Sequence, residues 1–295
     1  MADQNQPWVQ LSSADLHVEV NPLGAQLSVL RDRGGRDWLW DGDPSIWAGR
    51  APILFPTVGE VAGGSYRVGE KSYRLGRHGF ARGKLFEVVT TTAAQATFRL
   101  KADPATLEIY PFQFELEVRF EVSGPKLSVT ASVHNLGSAN MPASVGFHPA
   151  FRWPLPFGRA RAAHFIGFEH DEPAPIRRLN SAGLLSPVPH PTPVVGKRLM
   201  LEDGLFQPDV VIFDQFRSRK LIYGAQDGPH LEVAYPDATY LGIWTKPGAP
   251  FVCIEPWRGI ADPEGFTGDF TTKPGVFPVP PGGTGSINMT LTLVA

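Results

Sequence analysis

The chain has 295 residues, a length that suits either one large all-β domain or two ordinary domains. It contains 31 Gly and 29 Pro although 42% of its residues are apolar, which excludes a coiled coil, a long-helix bundle and a disordered chain. Its 27 Lys and Arg nearly balance its 29 Asp and Glu, so no broad electrostatic field favours a nucleic-acid or membrane partner.

Alternating apolar residues predict strands along the whole chain. The first alternation spans residues 16–20, and the longest spans residues 112–122, where apolar and polar positions alternate without a break. The same pattern recurs over residues 127–133 and 287–293. A period of two is typical of half-buried antiparallel strands.

Turn-forming sequences separate these strands, for example Ser123-Gly124-Pro125 and Pro281-Gly282-Gly283. The best helix candidate lies around Asp203–Phe206, and its pattern predicts no more than a turn. The Pro-rich residues 185–195 favour a surface loop over a hinge between domains. We therefore expect an all-β chain that forms one large antiparallel β-sandwich over residues 1–295.

The cysteine content and the N-terminal sequence predict the compartment. Cys253 is the sole cysteine, so it cannot form an intrachain disulfide or a zinc site built from several cysteines, which suits a reducing cytoplasm. Residues 1–7 lack the pattern of a signal peptide, and no apolar run approaches the ~20 residues that span a bilayer. We expect a cytoplasmic monomer or homodimer.

The motifs of common enzymes are missing: no G-x-S-x-G, phosphate-binding P-loop, C-x-x-C or H-E-x-x-H sequence occurs. Metal-capable side chains cluster at His164 and at residues 169–172. Because this run is polar and acidic, it favours a solvated loop over a metal site. We therefore predict neither a metal nor a cofactor.

Four segments place a charged residue or a histidine among apolar or aromatic residues, namely 49–56, 77–83, 144–151 and 250–257. In an extended strand His148 faces away from Phe147, and Glu255 faces away from Ile254. Each of the two directly precedes a proline, which favours an extended backbone at the end of a strand. Taken singly, a histidine or a glutamate in such a position is also typical of ordinary core or loop structure.

Together these segments resemble the aldose 1-epimerase (galactose mutarotase) family, in its bacterial branch of uncertain sugar specificity. The matching segments follow the family order over nearly the whole chain: residues 21–27, 51–56, 78–82, 147–151, 241–245 and 255–257. The resemblance implies a large antiparallel β-sandwich of the galactose mutarotase type, a supersandwich. It also implies an isomerase that binds a small sugar.

The resemblance further implies catalytic roles for two residues. His148 matches the family's general acid, which protonates the ring oxygen, and Glu255 matches the general base, which takes the proton from the anomeric hydroxyl. Opening a cyclic hemiacetal needs one group of each kind and no cofactor. Since an unperturbed imidazole has a pKa of ~6.5, we expect the negative charge of Glu255 to keep His148 protonated.

The resemblance also implies which residues bind the sugar hydroxyls and ring oxygen: Arg50, His78, Arg82 and Asp209. Aromatic side chains could contact the apolar side of the sugar ring, and Phe55, Phe147 and Trp257 are the candidates. Ordinary core packing is the alternative for each of these aromatic residues.

The sugar itself is less well specified. Ala150 and Arg152 stand where the better-studied galactose enzymes prefer tyrosine and asparagine, so galactose is not implied. A related branch acts on hexose 6-phosphates and binds the phosphate with arginines at positions like Arg50 and Arg82. Because His148-Pro149 is closer to the non-phosphorylated branch, we expect a mutarotase of a free aldohexose. The alternatives are a hexose-6-phosphate mutarotase and a carbohydrate-binding protein without turnover.

Overall fold

Strands account for most of the regular structure in the computed structural model, which describes residues 6–294. In chain order the first eleven are β1 (Val9–Ser12), β2 (Leu16–Asn21), β3 (Gln26–Asp32), β4 (Ile53–Leu54), β5 (Ser65–Val68), β6 (Lys71–Arg74), β7 (Glu87–Thr91), β8 (Gln95–Lys101), β9 (Phe114–Ser123), β10 (Lys126–Asn135) and β11 (Met141–Ala143). The next eleven are β12 (Val145–Phe147), β13 (Ala150–Arg152), β14 (His164–Phe168), β15 (Arg198–Met200), β16 (Val211–Phe213), β17 (Lys220–Ala225), β18 (His230–Ala234), β19 (Tyr240–Trp244), β20 (Phe251–Arg258), β21 (Phe277–Val279) and β22 (Thr284–Val294).

The helices of this part of the chain are short. They comprise α1 (Pro104–Ile109) and 3₁₀ helices at Ala62–Gly64, Ala81–Gly83, Arg161–Ala163, Asp203–Phe206 and Phe270–Thr272. With six residues α1 is the longest, so none of the helices within residues 6–294 could span a membrane. The prediction that the N-terminus lacks a leader concerns residues 1–7, of which residues 1–5 lie outside the described range.

The alternating patterns predicted the long strands correctly. Residues 16–20, 127–133 and 287–293 all lie in strands, and β9 alternates buried and more exposed positions along its length. The strand begins at Phe114 rather than at Phe112, because the N–H of Phe112 donates to the carbonyl of Tyr110 in a turn.

Every strand pairing in the described range is antiparallel, and two large sheets dominate. The nine-stranded sheet has the order β15-β14-β17-β18-β22-β10-β9-β8-β7. The six-stranded sheet has the order β16-β19-β20-β12-β4, with β13 also paired to β20. Smaller sheets are formed by β1-β2-β3, β5-β6 and β11-β21. The predicted all-β antiparallel architecture is therefore confirmed.

The main hydrophobic core lies between the nine-stranded and six-stranded sheets, as in other face-to-face β-sandwiches. On β20, Val252 and Ile254 belong to this core. Their neighbours Phe251 and Cys253 point to the other face of the six-stranded sheet, where they pack in a smaller cluster. Glu255 follows on that same outer face. The candidate site lies on this outer face, outside the main core.

Candidate active site

A pocket of about 230 Å³ opens on the outer face of the six-stranded sheet. It lies between two small apolar clusters, one containing Val58, Ile212 and Trp257 and the other containing Trp47 and Trp244. Six titratable side chains line it: Arg77, His78, Arg82, His148, Asp209 and Glu255. Five of the six predicted site residues are therefore brought together in one pocket.

Strand pairing sets Glu255 opposite His148. Gly146 pairs with Trp257, and Ala150 pairs with Cys253. His148 is midway between the first residues of these pairs and Glu255 is midway between the second, so the two face each other. Glu255 Oε2 lies 3.1 Å from His148 Nε2. Both side chains are almost fully buried, with residue exposures of 1% and 8%.

The electrostatics of this pair differ from the expectation of a protonated imidazole beside a carboxylate. Burial raises the pKa of Glu255 well above its usual range and lowers the pKa of His148, because a buried site disfavours the charged form of each group. The positive charges of Arg77 and Arg82 lower the pKa of His148 further. The uncharged form of the pair, with its single proton on Glu255, is therefore favoured in the protein alone.

His78 is held in the pocket by two hydrogen bonds to Gly59. Its backbone N–H donates to Gly59 O at 2.8 Å, and its Nδ1 accepts from the N–H of Gly59 at 3.1 Å. His78 has a left-handed φ of 67°, and a Cβ on the following Gly79 would lie 2.1 Å from Phe55 O, so glycine is required there. Burial and the nearby His148 lower the pKa of His78. The neutral ring therefore carries its proton on Nε2.

Charged residues surround the pocket mouth. Arg82 lies in the 3₁₀ helix Ala81–Gly83, and its Nη2 donates to Arg77 O at 3.0 Å. Burial and the charge of Arg77 lower the pKa of Arg82. Asp209 precedes β16 with a left-handed φ of 71°, and its Oδ1 accepts from the N–H of Val210 at 2.7 Å. Arg77 also lines the pocket; it lies in the segment 77–83 but was not among the predicted site residues.

Arg50 is the one predicted site residue that does not line the pocket. Its Nη1 donates to Ser28 O at 2.7 Å, and its guanidinium lies 5.2 Å from the centroid of the Trp8 ring. Its backbone carbonyl accepts from the N–H of Ala150 at 2.8 Å, beside β13. The predicted role in sugar binding does not fit this position, because the side chain is directed toward β3.

The aromatic wall of the pocket differs in part from the predicted one. Trp257 lines the pocket, but Phe55 and Phe147 belong to the main core. Two tryptophans that the sequence did not single out complete the wall, Trp47 and Trp244. The Trp47 ring stacks on the imidazole of His148 with 5.2 Å between centroids, and Trp244 approaches that imidazole edge-on at 5.9 Å.

Three groups that can bind a metal lie close together in this site. His148, Cys253 and Glu255 each offer one ligand atom, and these atoms lie within 4.8 Å of one another. The sequence did not predict this grouping. The earlier candidate segment is different: His164 is buried in β14, while Glu172 accepts hydrogen bonds from the backbone of Arg217 and Ser218.

Comparison with known proteins gives consistent matches. A family model described as aldose 1-epimerase matches residues 7–266. Protein LacX (plasmid) of Lactococcus lactis subsp. lactis is 33% identical over 264 residues, which cover 86% of this chain and 88% of that protein. The family match spans all the residues that line the pocket, from Trp47 to Ala261.

Two solved structures are similar over nearly their whole length. A galactose mutarotase related enzyme from Lactobacillus acidophilus is 29% identical, with a TM-score of 0.90 and 98% of each chain covered. A galactose mutarotase-like protein from Lactobacillus casei ATCC 334 is 28% identical, with a TM-score of 0.90 and coverage of 97% of this chain and 100% of that one. The predicted type of β-sandwich is thereby confirmed.

Proposed function

Because this chain belongs to the aldose 1-epimerase family, we propose that it interconverts the α and β anomers of a free aldohexose. The observation that carries this proposal is the contact of 3.1 Å between His148 and Glu255 inside the pocket. The acid and the base that ring opening requires are then neighbours in one water-restricted site.

The proposed reaction removes a proton from the anomeric hydroxyl on C1 and delivers a proton to the ring oxygen, while the bond between C1 and the ring oxygen breaks. Glu255 takes the proton of the anomeric hydroxyl, the bond between C1 and the ring oxygen breaks, and its electron pair stays on the ring oxygen. The ring oxygen then receives a proton from His148. Rotation about the C1–C2 bond of the open-chain aldehyde presents its other face, and the two groups act in reverse as the ring closes.

The single proton of the pair is on His148 before ring opening and on Glu255 after it. Since burial favours the uncharged pair, the state that follows ring opening is the favoured one. Preparing the reactive state requires that Glu255 lose its proton and that His148 gain one, with 3.1 Å between Oε2 and Nε2. Sugar hydroxyls that donate hydrogen bonds to the carboxylate would lower the pKa of Glu255 and so favour the reactive state.

The remaining pocket residues bind and orient the sugar in this proposal. His78 offers its Nε2–H to a sugar oxygen, Arg82 donates to hydroxyls and Asp209 accepts from them. The apolar side of the ring lies against Trp47 and Trp244, whose rings meet nearly at right angles with 5.7 Å between centroids.

A hexose-6-phosphate mutarotase is the second candidate, and the observation in its favour is the pair of arginines at the pocket mouth. Arg77 and Arg82 provide two guanidinium groups within one pocket, an arrangement suited to a phosphate. The test is to measure kcat/KM for glucose and for glucose 6-phosphate, using the native protein and the Arg82→Gln variant. Equal values of kcat/KM for the two sugars in the native protein would reject the second candidate.

Polarimetry tests the proposed activity directly. Freshly dissolved α-glucose and α-galactose should relax faster with the native protein than without it, in proportion to protein concentration. The exposed carboxylate variant Glu264→Gln should match the native rate. If calorimetry detects sugar binding while relaxation stays at the spontaneous rate, the protein is a sugar-binding protein without turnover and the proposal is wrong.

A further inference from the structure

Asp262 connects four segments of the chain beside the pocket. Its N–H donates to Glu60 O at 2.9 Å, and its carbonyl accepts from the N–H of Leu185 at 2.8 Å. Its Oδ2 accepts from the N–H of Ala62 at 2.8 Å. Its Oδ1 lies 3.3 Å from Nζ of Lys273. Only 4% of Asp262 is exposed, so this junction is formed almost entirely inside the protein.

Lys273 is the buried counter-ion of this carboxylate. Its side chain has no exposed surface, and Nζ also donates to Ile260 O. Burial lowers the pKa of Lys273, whereas the charge of Asp262 raises it. A buried ion pair contributes little net stability compared with apolar residues of the same volume. A role in holding a particular local geometry therefore explains the pair better than stability alone.

The geometry that Asp262 holds is that of residues 59–62. Two hydrogen bonds from Asp262 fix Glu60 O and the N–H of Ala62. Directly before them, Gly59 makes its two hydrogen bonds with His78, and the one to Nδ1 selects the ring tautomer. The carboxylate thus acts on the imidazole through one short, tightly bonded segment.

We propose that Asp262, paired with Lys273, is a positioning residue that keeps Gly59 bonded to His78 and so presents the Nε2–H of His78 to the sugar. Asp262 does not line the pocket itself, although its neighbour Ala261 does. The part played by the sugar rests on the proposed function. The tautomer of His78 does not, and it can be measured without substrate.

Two variants separate this role from simple stabilisation. Ala62→Pro deletes the N–H that donates to Asp262 and leaves both charges in place. Proline suits this site because Ala62 opens a 3₁₀ helix and the preceding Val61 is extended, with φ −102° and ψ 142°. Asp262→Leu combined with Lys273→Met removes both charges and the acceptor of the Ala62 N–H, and it avoids an unpaired buried lysine. Asp32→Asn is the control, since Asp32 is also a buried, ion-paired carboxylate but lies outside the pocket.

The readouts are the ¹⁵N NMR signature of the His78 ring and the separate values of KM and kcat. In both variants we expect a mixture of His78 tautomers and a KM for the sugar raised about tenfold, with kcat changed far less. The control should leave the tautomer and KM as in the native protein. A single Nε2–H tautomer and an unchanged KM in folded Ala62→Pro would overturn the proposal, as would an equal effect of Asp32→Asn. If the double variant does not fold, Ala62→Pro decides alone.

Discussion

The carboxyl group of Glu255 on β20 faces the imidazole of His148, which lies between β12 and β13, with 3.1 Å between Oε2 and Nε2. Within residues 6–294, neither Glu255 Oε2 nor His148 Nδ1 makes a hydrogen bond of good geometry, so the two side chains are close but not hydrogen-bonded. A buried acceptor without a partner is costly, and active sites are where such costs are retained. This arrangement supports the proposal that the pair exchanges protons with a bound sugar.

The acid limb of the pH profile of kcat/KM should lie well below pH ~6.5, where an unperturbed histidine titrates. In the proposed mechanism the active pair of His148 and Glu255 holds one proton, and burial widens the pH range over which it does so. Because the pKa of His148 is lowered, a second proton binds only well below that pH. Because the pKa of Glu255 is raised, the last proton is lost well above its ordinary value.

Initial rates test this prediction when they are measured from acid to alkaline pH at saturating and at subsaturating sugar concentrations. The acid limb of kcat/KM should lie well below pH ~6.5 and the alkaline limb well above the ordinary pKa of a glutamate, ~4.3. An acid limb centred near ~6.5 would indicate that His148 titrates as it would in water.

Gly49→Ala should impair catalysis by displacing Trp47. A Cβ on Gly49 would lie 2.4 Å from Trp47 Cζ2, so the indole that stacks on His148 must move. A displacement of this size at a catalytic group costs about tenfold to a hundredfold in kcat/KM. Gly204→Ala is the matched control, since a Cβ there has no atom within 4 Å. If both alanine variants keep the native kcat/KM, the stacked tryptophan plays no part in catalysis.

Phe55→Ala should cost stability rather than sugar affinity. Phe55 is fully buried and packs edge-on against Phe80 and Tyr110, so truncation should lower the free energy of unfolding by about 3–5 kcal/mol. Urea denaturation measures that change. The control variant Phe266→Ala, at a partly exposed site, should show a much smaller decrease in the free energy of unfolding. The fraction that remains folded should keep the native KM. A raised KM with unchanged stability would instead make Phe55 a sugar-binding residue.

The sequence was most informative where one local rule decides the structure. On β20 the alternation of side chains correctly placed Val252 and Ile254 on one face and Glu255 on the other. The helix α1 was missed because it has only six residues, too few for a periodic pattern. Its capping signal was nevertheless present, since the side chain of Asp103 accepts from the N–H of Thr106.

Loop geometry was the main part that the sequence could not supply. Trp47 and Arg50 lie in the same connection between β3 and β4, yet one side chain enters the pocket and the other is directed away from it. That difference depends on contacts with distant segments, such as the carbonyl of Ser28, which local patterns do not encode. The junction at Asp262 was missed for the same reason, because its partners are spread from Glu60 to Lys273.

The polarimetric rates of Glu255→Gln and His148→Asn test the central proposal most directly. Each variant keeps the approximate size of the side chain but removes one proton-transfer group, a loss that costs about 10²–10⁴-fold in rate. Circular dichroism should show that both variants remain folded. We predict that the catalysed rate of relaxation of the preferred α-aldohexose falls by at least about a hundredfold in each variant, so that the observed rate approaches the spontaneous one. Native rates in both folded variants would contradict the assignment of His148 and Glu255 as the acid and base.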